Sequence, residues 1–204
     1  MDKERGNELE IDNEYIMSPK DLKTIHFLNK LLDAGVRVLK IEGRARPPEY
    51  VKTVVECYNE AIHAYVSDQF TREKIENWDQ RLSTVFNRGF WDGYYLGQKL
   101  GEWSEVYGSQ STEKKIYLGK VTNYFNRIGV AEFLIETGSL QKGDRILITG
   151  PTTGVMNSVV NEMRIDEMPA DSANKGNRFS SALPGPVRRS DKLYKIIDRK
   201  NTGT

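Results

Sequence analysis

One stretch of this sequence concentrates side chains that could do chemistry. Glu42-Gly43-Arg44-Ala45-Arg46 sets a carboxylate and two guanidinium groups along a single turn, and Gly43 lets the backbone between them bend sharply. Two forked arginines suit bidentate recognition of a phosphate or a dicarboxylate better than lysines would. The competing reading is structural: Glu42 pairs with Arg44 or Arg46 and closes the end of a sheet. Charge and spacing alone leave both readings open. A second concentration of charge lies near the C-terminus. Residues 175–204 hold eight basic side chains against Asp191 and Asp198, whereas residues 1–14 hold six acidic ones against Lys3 and Arg5. Within the basic tail, Arg188, Arg189, Lys192 and Lys195 are the candidate contacts to an anionic partner such as nucleic acid; a merely solvated end is the alternative.

The elements that would position the first cluster follow from hydrophobic spacing. Residues 1–13 are polar and without periodicity, which fits a flexible lead-in. Glu14-Tyr15-Ile16-Met17 has β character. Ser18-Pro19-Lys20-Asp21 then reads as a helix start, with Leu22, Ile25, Leu28 or Asn29, and Leu32 on one face and Gly35 as the stop. Val36–Ile41 is a short β-prone run, and Pro47-Pro48-Glu49 opens a helix in which Val51, Val54, Val55, Tyr58 and Ile62 recur at helical spacing. Strand, helix, strand, helix is a βαβ unit plus one helix. It places residues 42–46 at the carboxyl end of a strand, where α/β folds gather their ligands. Two parallel strands with helices on one side leave the other face of a parallel sheet uncovered. The segment 14–96 is therefore expected to be incomplete, taking partner strands from another chain or, the favoured reading, from an upstream part of a longer protein.

A third helix is expected after the cap Thr71, with Ile75, Trp78, Leu82, Val85 and Phe86 facing a core. Asn87–Leu96 breaks it with two glycines among four aromatics. These could stack bases or sugars, but packing is the more conservative reading. Residues 97–113 read as a linker. From residue 114 to 204 the pattern becomes all-β, with short strand-like runs at 115–125, 129–135, 145–149, 155–163, near 180–187 and 193–197. Leu140-Gln-Lys-Gly-Asp144 echoes Val187-Arg-Arg-Ser-Asp191, in each case an apolar residue, a tight turn with Asp, then a strand. Repeated turn-then-strand units suit a small closed barrel that binds or positions. Gly150-Pro151-Thr152-Thr153-Gly154 lacks the lysine and helix of a phosphate loop and reads as a hairpin turn. The fold class expected is thus α+β, a partial β/α segment followed by a small C-terminal β-barrel.

Composition narrows the chemistry. With 38% hydrophobic residues the chain has material for a core, it has no apolar run of membrane-span length, and its start lacks the apolar core of a secretory signal, so a cytoplasmic protein is expected. The single cysteine, Cys57, excludes an intramolecular disulfide and a Cys-only metal site. Its position inside a helix favours packing over nucleophilic duty, for which only His26 and His63 could serve as base.

Several stretches then coincide in order: KIEGRARPPEYV before a tyrosine-bearing helix, NRGFWDGYYLG, YLGKVTNYF and GDRILITGPTTG. Together they resemble the C-terminal half of the collagenase-like U32 peptidase family, from about Tyr15 onward. The resemblance implies that residues 14–70 supply the last two β/α units of a TIM-barrel-like domain whose upstream half lies elsewhere, and that residues from 114 form the family's accessory β-barrel. It implies one of two activities: a collagenase-like peptidase, or hydroxylation such as tRNA uridine hydroxylation with prephenate as co-substrate. The second is preferred on the residues, since no peptidase nucleophile is evident while paired arginines and a basic tail suit a dicarboxylate and RNA. A non-catalytic binding module completed by a partner is the third reading. Glu42, Arg44 and Arg46 match the family's KIEGR-x-[RK] motif and become candidate co-substrate or RNA contacts. Related proteins hold an iron–sulfur cluster through cysteines lying mostly upstream, and many have cysteine where this chain has Lys23. No cofactor is therefore expected in this chain by itself.

Overall fold

The computed structural model describes residues 19–98, 101–104 and 108–199. The expected strand at Glu14–Met17, the Ser18 cap and Lys200 fall outside the described residues. Two compact units divide the chain, Met1–Arg46 with Thr53–Ser111, and Pro47–Lys52 with Thr112–Thr204.

The first unit is mainly helical. Strand β1 (Asp21–Leu22) leads through a 3-10 turn (Ile25–Phe27) into α1 (Leu28–Asp33), a shorter and later helix than the pattern from Ser18 predicts. The cause lies in the backbone donors. Asp21 N–H bonds Gly89 O at 2.8 Å and Lys23 N–H bonds Trp91 O at 2.9 Å, which draws this segment into a parallel pairing instead of a first helical turn. Gly35 does end α1. Its φ of +92° lets Val36 N–H reach back to Leu31 O.

The β-prone run Val36–Ile41 is not a strand. Among the described residues no ladder forms along it, and Val38 stands 83% exposed. A strand's stability comes from hydrogen-bonded neighbours, and β propensity without them leaves only an extended loop. The βαβ unit expected here is therefore replaced by another parallel pair. β1 pairs with β2 (Phe90–Trp91), and the connection between them carries α1, α2 (Pro48–Val66) and α3 (Arg72–Thr84).

Helix α2 buries Val54, Cys57, Ala61 and Ala64, while Val55, expected inside, is 46% exposed. Small residues dominate that stripe and allow close packing. Helix α3 is capped as its sequence predicts, with Thr71 Oγ1 accepting from Lys74 N–H and with Trp78 and Leu82 buried. Glu60 on α2 ties the two helices together by accepting from Trp78 Nε1 at 3.0 Å and from Arg81 Nη1 at 2.5 Å. Those bonds hold its carboxyl below the usual range.

The second unit is built on an antiparallel sheet with the spatial order β7-β6-β12-β3-β4-β11-β8-β9. Its strands are β3 (Glu113–Phe125), β4 (Val130–Ile135), β6 (Arg145–Gly150), β7 (Gly154–Val159), β8 (Arg164–Ile165), β9 (Met168–Pro169), β11 (Arg178–Ala182) and β12 (Lys192–Asp198). A separate pair joins β5 (Ser139–Gln141) to β10 (Ser172–Asn174). The molecule is thus α+β. The hydrogen-bonded ladder is open, because among the described residues its outer strands β7 and β9 do not pair with each other, and the expected barrel closure is not seen in it. One apolar core gathers Leu118, Val121, Phe133, Ile135, Leu140, Ile146, Ile148, Phe179, Val187 and Leu193.

Two glycines permit this packing. A Cβ on Gly119 would strike Leu134 O across the β3–β4 pair, and one on Gly150 would strike the Asp191 carboxylate. The echo noticed in the sequence is a repeated turn. Gln141 N–H bonds Asp144 Oδ2 and Arg188 N–H bonds Asp191 Oδ2, each at 2.7 Å, with Gly143 at φ +90° and Ser190 at φ +73°. Leu140 and Val187, the apolar residues that open the two repeats, are both in the core.

Candidate functional site

The turn at residues 42–46 does not gather its three charges on one ligand. Glu42 is exposed, and its Oε1 accepts the Arg44 N–H at 2.6 Å, so the carboxylate shapes the turn. Ala45 sits at φ +59°, a left-handed conformation unusual for alanine. The Arg44 guanidinium is exposed. Arg46 goes inward: its Nη2 meets Asp21 Oδ1 at 2.5 Å, its guanidinium lies 4.8 Å from the centroid of the Phe86 ring, and its side chain is only 14% exposed. Asp21 also accepts the Arg88 N–H at 3.1 Å. Arg46 therefore joins the start of the chain to the segment after α3, and it does so from an extended loop and not from a strand end. Of the two candidate arginines, Arg44 is the one displayed to solvent. Neither Asp21 nor Phe86 announced this role, since the sequence pattern placed Asp21 in a helix and Phe86 on a core face.

Nearby, Lys23 pairs with Asp79 at 2.9 Å and lies over the Phe90 ring, and Thr24 bonds the Tyr58 hydroxyl. Cys57 is fully buried, and burial pushes its thiol up to about 11. It is a packing residue that presents no thiolate at neutral pH. His26 Nε2 stands 3.1 Å from Asp92 Oδ1. Among the described residues no group of three or more His, Cys, Asp or Glu side chains is arranged to hold a metal ion, and no helix is long and apolar enough to cross a membrane.

The basic candidates separate more clearly. Arg188, Arg189 and Lys192 are exposed, but Lys195 is not available in the same way. Its ammonium bonds Asp144 Oδ2 at 2.6 Å and its side chain is 24% exposed, so it stabilises the Gln141–Asp144 turn.

Strand directions bring three loops to one end of the sheet, the end that carries the three exposed cations. The β3–β4 turn is bound to the loop after β11 by Leu183 N–H to Gly129 O at 2.9 Å. That loop passes Met156, whose Cε would lie 3.3 Å from a Cβ on Gly185, and returns beside β3 through Ser190 N–H to Val121 O at 2.9 Å. The β6–β7 turn joins it through the Thr153 hydroxyl, which donates to Asp191 Oδ2 at 2.5 Å. Residues 123–129, 150–154 and 183–192 together contain Arg127, Arg188, Arg189 and Lys192 and one carboxylate, Asp191. Asp191 is 2% exposed and turned toward its hydrogen-bond donors, so these three loops show solvent positive charge and no exposed carboxylate of their own. Arg127 was not singled out in the sequence because it stands alone in a turn; only the pairing of β3 with β4 and of β4 with β11 brings it to the arginines sixty residues on.

The family model described as Peptidase family U32 matches residues 1–105. A collagenase of Porphyromonas gingivalis (strain ATCC BAA-308 / W83) is 60% identical over 199 residues, covering 98% of this chain and 48% of that protein. The tRNA hydroxylation protein P1 of Bacillus subtilis (strain 168) is 32% identical over 143 residues, covering 70% of this chain and 33% of that protein. A solved C-terminal domain of a Geobacillus thermoleovorans putative U32 peptidase overlaps 38% of this chain and 96% of its own, with 16% identity and a TM-score of 0.37. The chain spans about half the length of the collagenases it matches. With its first half matched by the family model and nearly its whole length by a collagenase, the chain belongs to peptidase family U32.

Proposed function

We propose that this chain is the C-terminal portion of a U32 protein that acts in tRNA uridine hydroxylation, with the β domain positioning the RNA. The observation that carries the reading is the loop end bearing Arg188, Arg189 and Lys192, where the loops' own one carboxylate, Asp191, is buried. Phosphate neutralisation by such cations is the sequence-independent part of nucleic-acid binding. Arg44, exposed on its turn, is the remaining contact for a small dicarboxylate co-substrate such as prephenate. The extended run Val36–Ile41 takes its ladder neighbours from further β/α repeats of a TIM-barrel-like domain, and the β domain acts as a small barrel in spite of its open ladder. Likeness to the Bacillus protein supports the reading at family level.

The second reading, a collagenase-like peptidase, is favoured by the 60% identity to the Porphyromonas collagenase. One pair of assays separates them. Nucleoside analysis of tRNA from a strain lacking the gene, and from the same strain complemented with it, tests the first: hydroxylated uridine restored by complementation supports hydroxylation, and unchanged levels overturn it. Gelatin cleavage by the purified full-length protein tests the second.

A further inference from the structure

The tip of the β3–β4 hairpin displays two large apolar side chains to solvent. Phe125 is 44% exposed and Ile128 is 70% exposed, on a turn whose other residues are Asn126, Arg127 and Gly129. Tyr124, the preceding residue, packs against the core, so the alternation of the strand turns Phe125 to the opposite, outer side. An aromatic and an aliphatic side chain left in water at a turn cost solubility without adding to the core. Arg127 beside them is exposed and carries no acidic neighbour in its turn.

We infer that this tip is a stacking platform for unpaired nucleotides: the Phe125 ring takes a base face, Ile128 flanks it, and Arg127 extends the cationic track of Arg188, Arg189 and Lys192 along the phosphates. The inference rests on the RNA-positioning reading of the β domain and specifies which RNA it takes, a single-stranded segment such as a loop and not a duplex. The charge of the surrounding loops selects a polyanion over an apolar peptide. The ring selects unpaired bases, because in a duplex the base faces are already stacked on one another and closed to a side chain.

The test is fluorescence anisotropy with the full chain and a labelled RNA strand of about twelve nucleotides, alone and annealed to its complement. Phe125→Ala is expected to weaken single-strand binding roughly tenfold, to leave duplex binding within about twofold, and to leave the salt slope unchanged. Phe125→Trp is expected to retain single-strand binding, which separates loss of the ring from loss of the fold. Arg127→Ala is expected to weaken both forms and to lower the salt slope by about 0.7. If Phe125→Ala binds the single strand as the parent does while the combined Arg188, Arg189 and Lys192 substitution to alanine loses it, the stacking platform is wrong and the electrostatic reading survives. If neither substitution changes RNA binding, both fall. Binding of gelatin that is abolished by Phe125→Ala, with no RNA binding, makes the tip a peptide site and overturns the inference.

Discussion

Arg46 and Lys195 show how one interaction decides what a charged side chain is for. Each lies in a cluster that reads as ligand-facing from sequence, and each is committed to a carboxylate of its own unit, Asp21 and Asp144. Because the Arg46–Asp21 pair is largely buried, removing one partner leaves the other desolvated and uncompensated. Asp21→Ala is expected to destabilise the protein by about 1–3 kcal/mol in urea unfolding. Arg46→Lys recovers little of this, since an ammonium replaces neither the fork nor the face over Phe86. Cys57 gives a pH-dependent prediction. A thiol whose folded value is raised to about 11 favours folding fully below its unfolded value, and that contribution fades as pH rises through 11. At pH 8 a thiol reagent such as DTNB should modify the native protein about a hundredfold more slowly than the urea-unfolded chain. Equal rates would mean that the thiol is exposed.

Among the elements, the two Asp-anchored turns offer a matched pair of substitutions. Ser190 occupies at φ +73° the place that Gly143 fills in the other copy, so Ser190→Gly is expected to stabilise by about 0.5–1 kcal/mol, and Gly143→Ala to destabilise by a similar amount. Gly150→Ala has a larger consequence, since it strikes the buried Asp191 carboxylate and loosens all three loops at that end; a loss of about 2 kcal/mol or more is expected in thermal or urea unfolding. The repeated turns were legible because an Asp that caps a turn and the apolar residue before it leave a local signature. Helix α3 was legible for the same reason, since Thr71 and the Trp78–Leu82 face lie within one helix. Val36–Ile41 misled because its β-branched residues state a preference that only a neighbouring strand can realise. The β8–β9 hairpin was missed because each of its strands is only two residues long, and the β5–β10 pair because its three-residue strands meet across a wide gap in sequence. The basic residues of the tail were legible as composition, but the pairing of Lys195 with Asp144 and the placing of Arg127 at the same end of the sheet as Arg188 and Arg189 depend on register.

For the molecule as a whole, charge is sorted by position and not by amount. A net charge of +1 says nothing of a nucleic-acid partner. Cations with acidic partners, such as Arg145 between Glu113 and Asp198, Lys120 with Glu136 and Lys195 with Asp144, are spent inside the β domain. What remains exposed on the three loops is one sign only. That asymmetry is what an RNA-positioning role requires, because phosphate contacts add to affinity through the counterions they release. The most direct test is a titration of the full chain with tRNA over a series of salt concentrations, comparing the parent with a variant in which Arg188, Arg189 and Lys192 are all alanine. The account predicts that the variant binds at least roughly tenfold more weakly and that its log–log salt slope is shallower by about two, while Lys195→Ala keeps the parent slope. Identical affinities and slopes for the parent and the triple variant would contradict it.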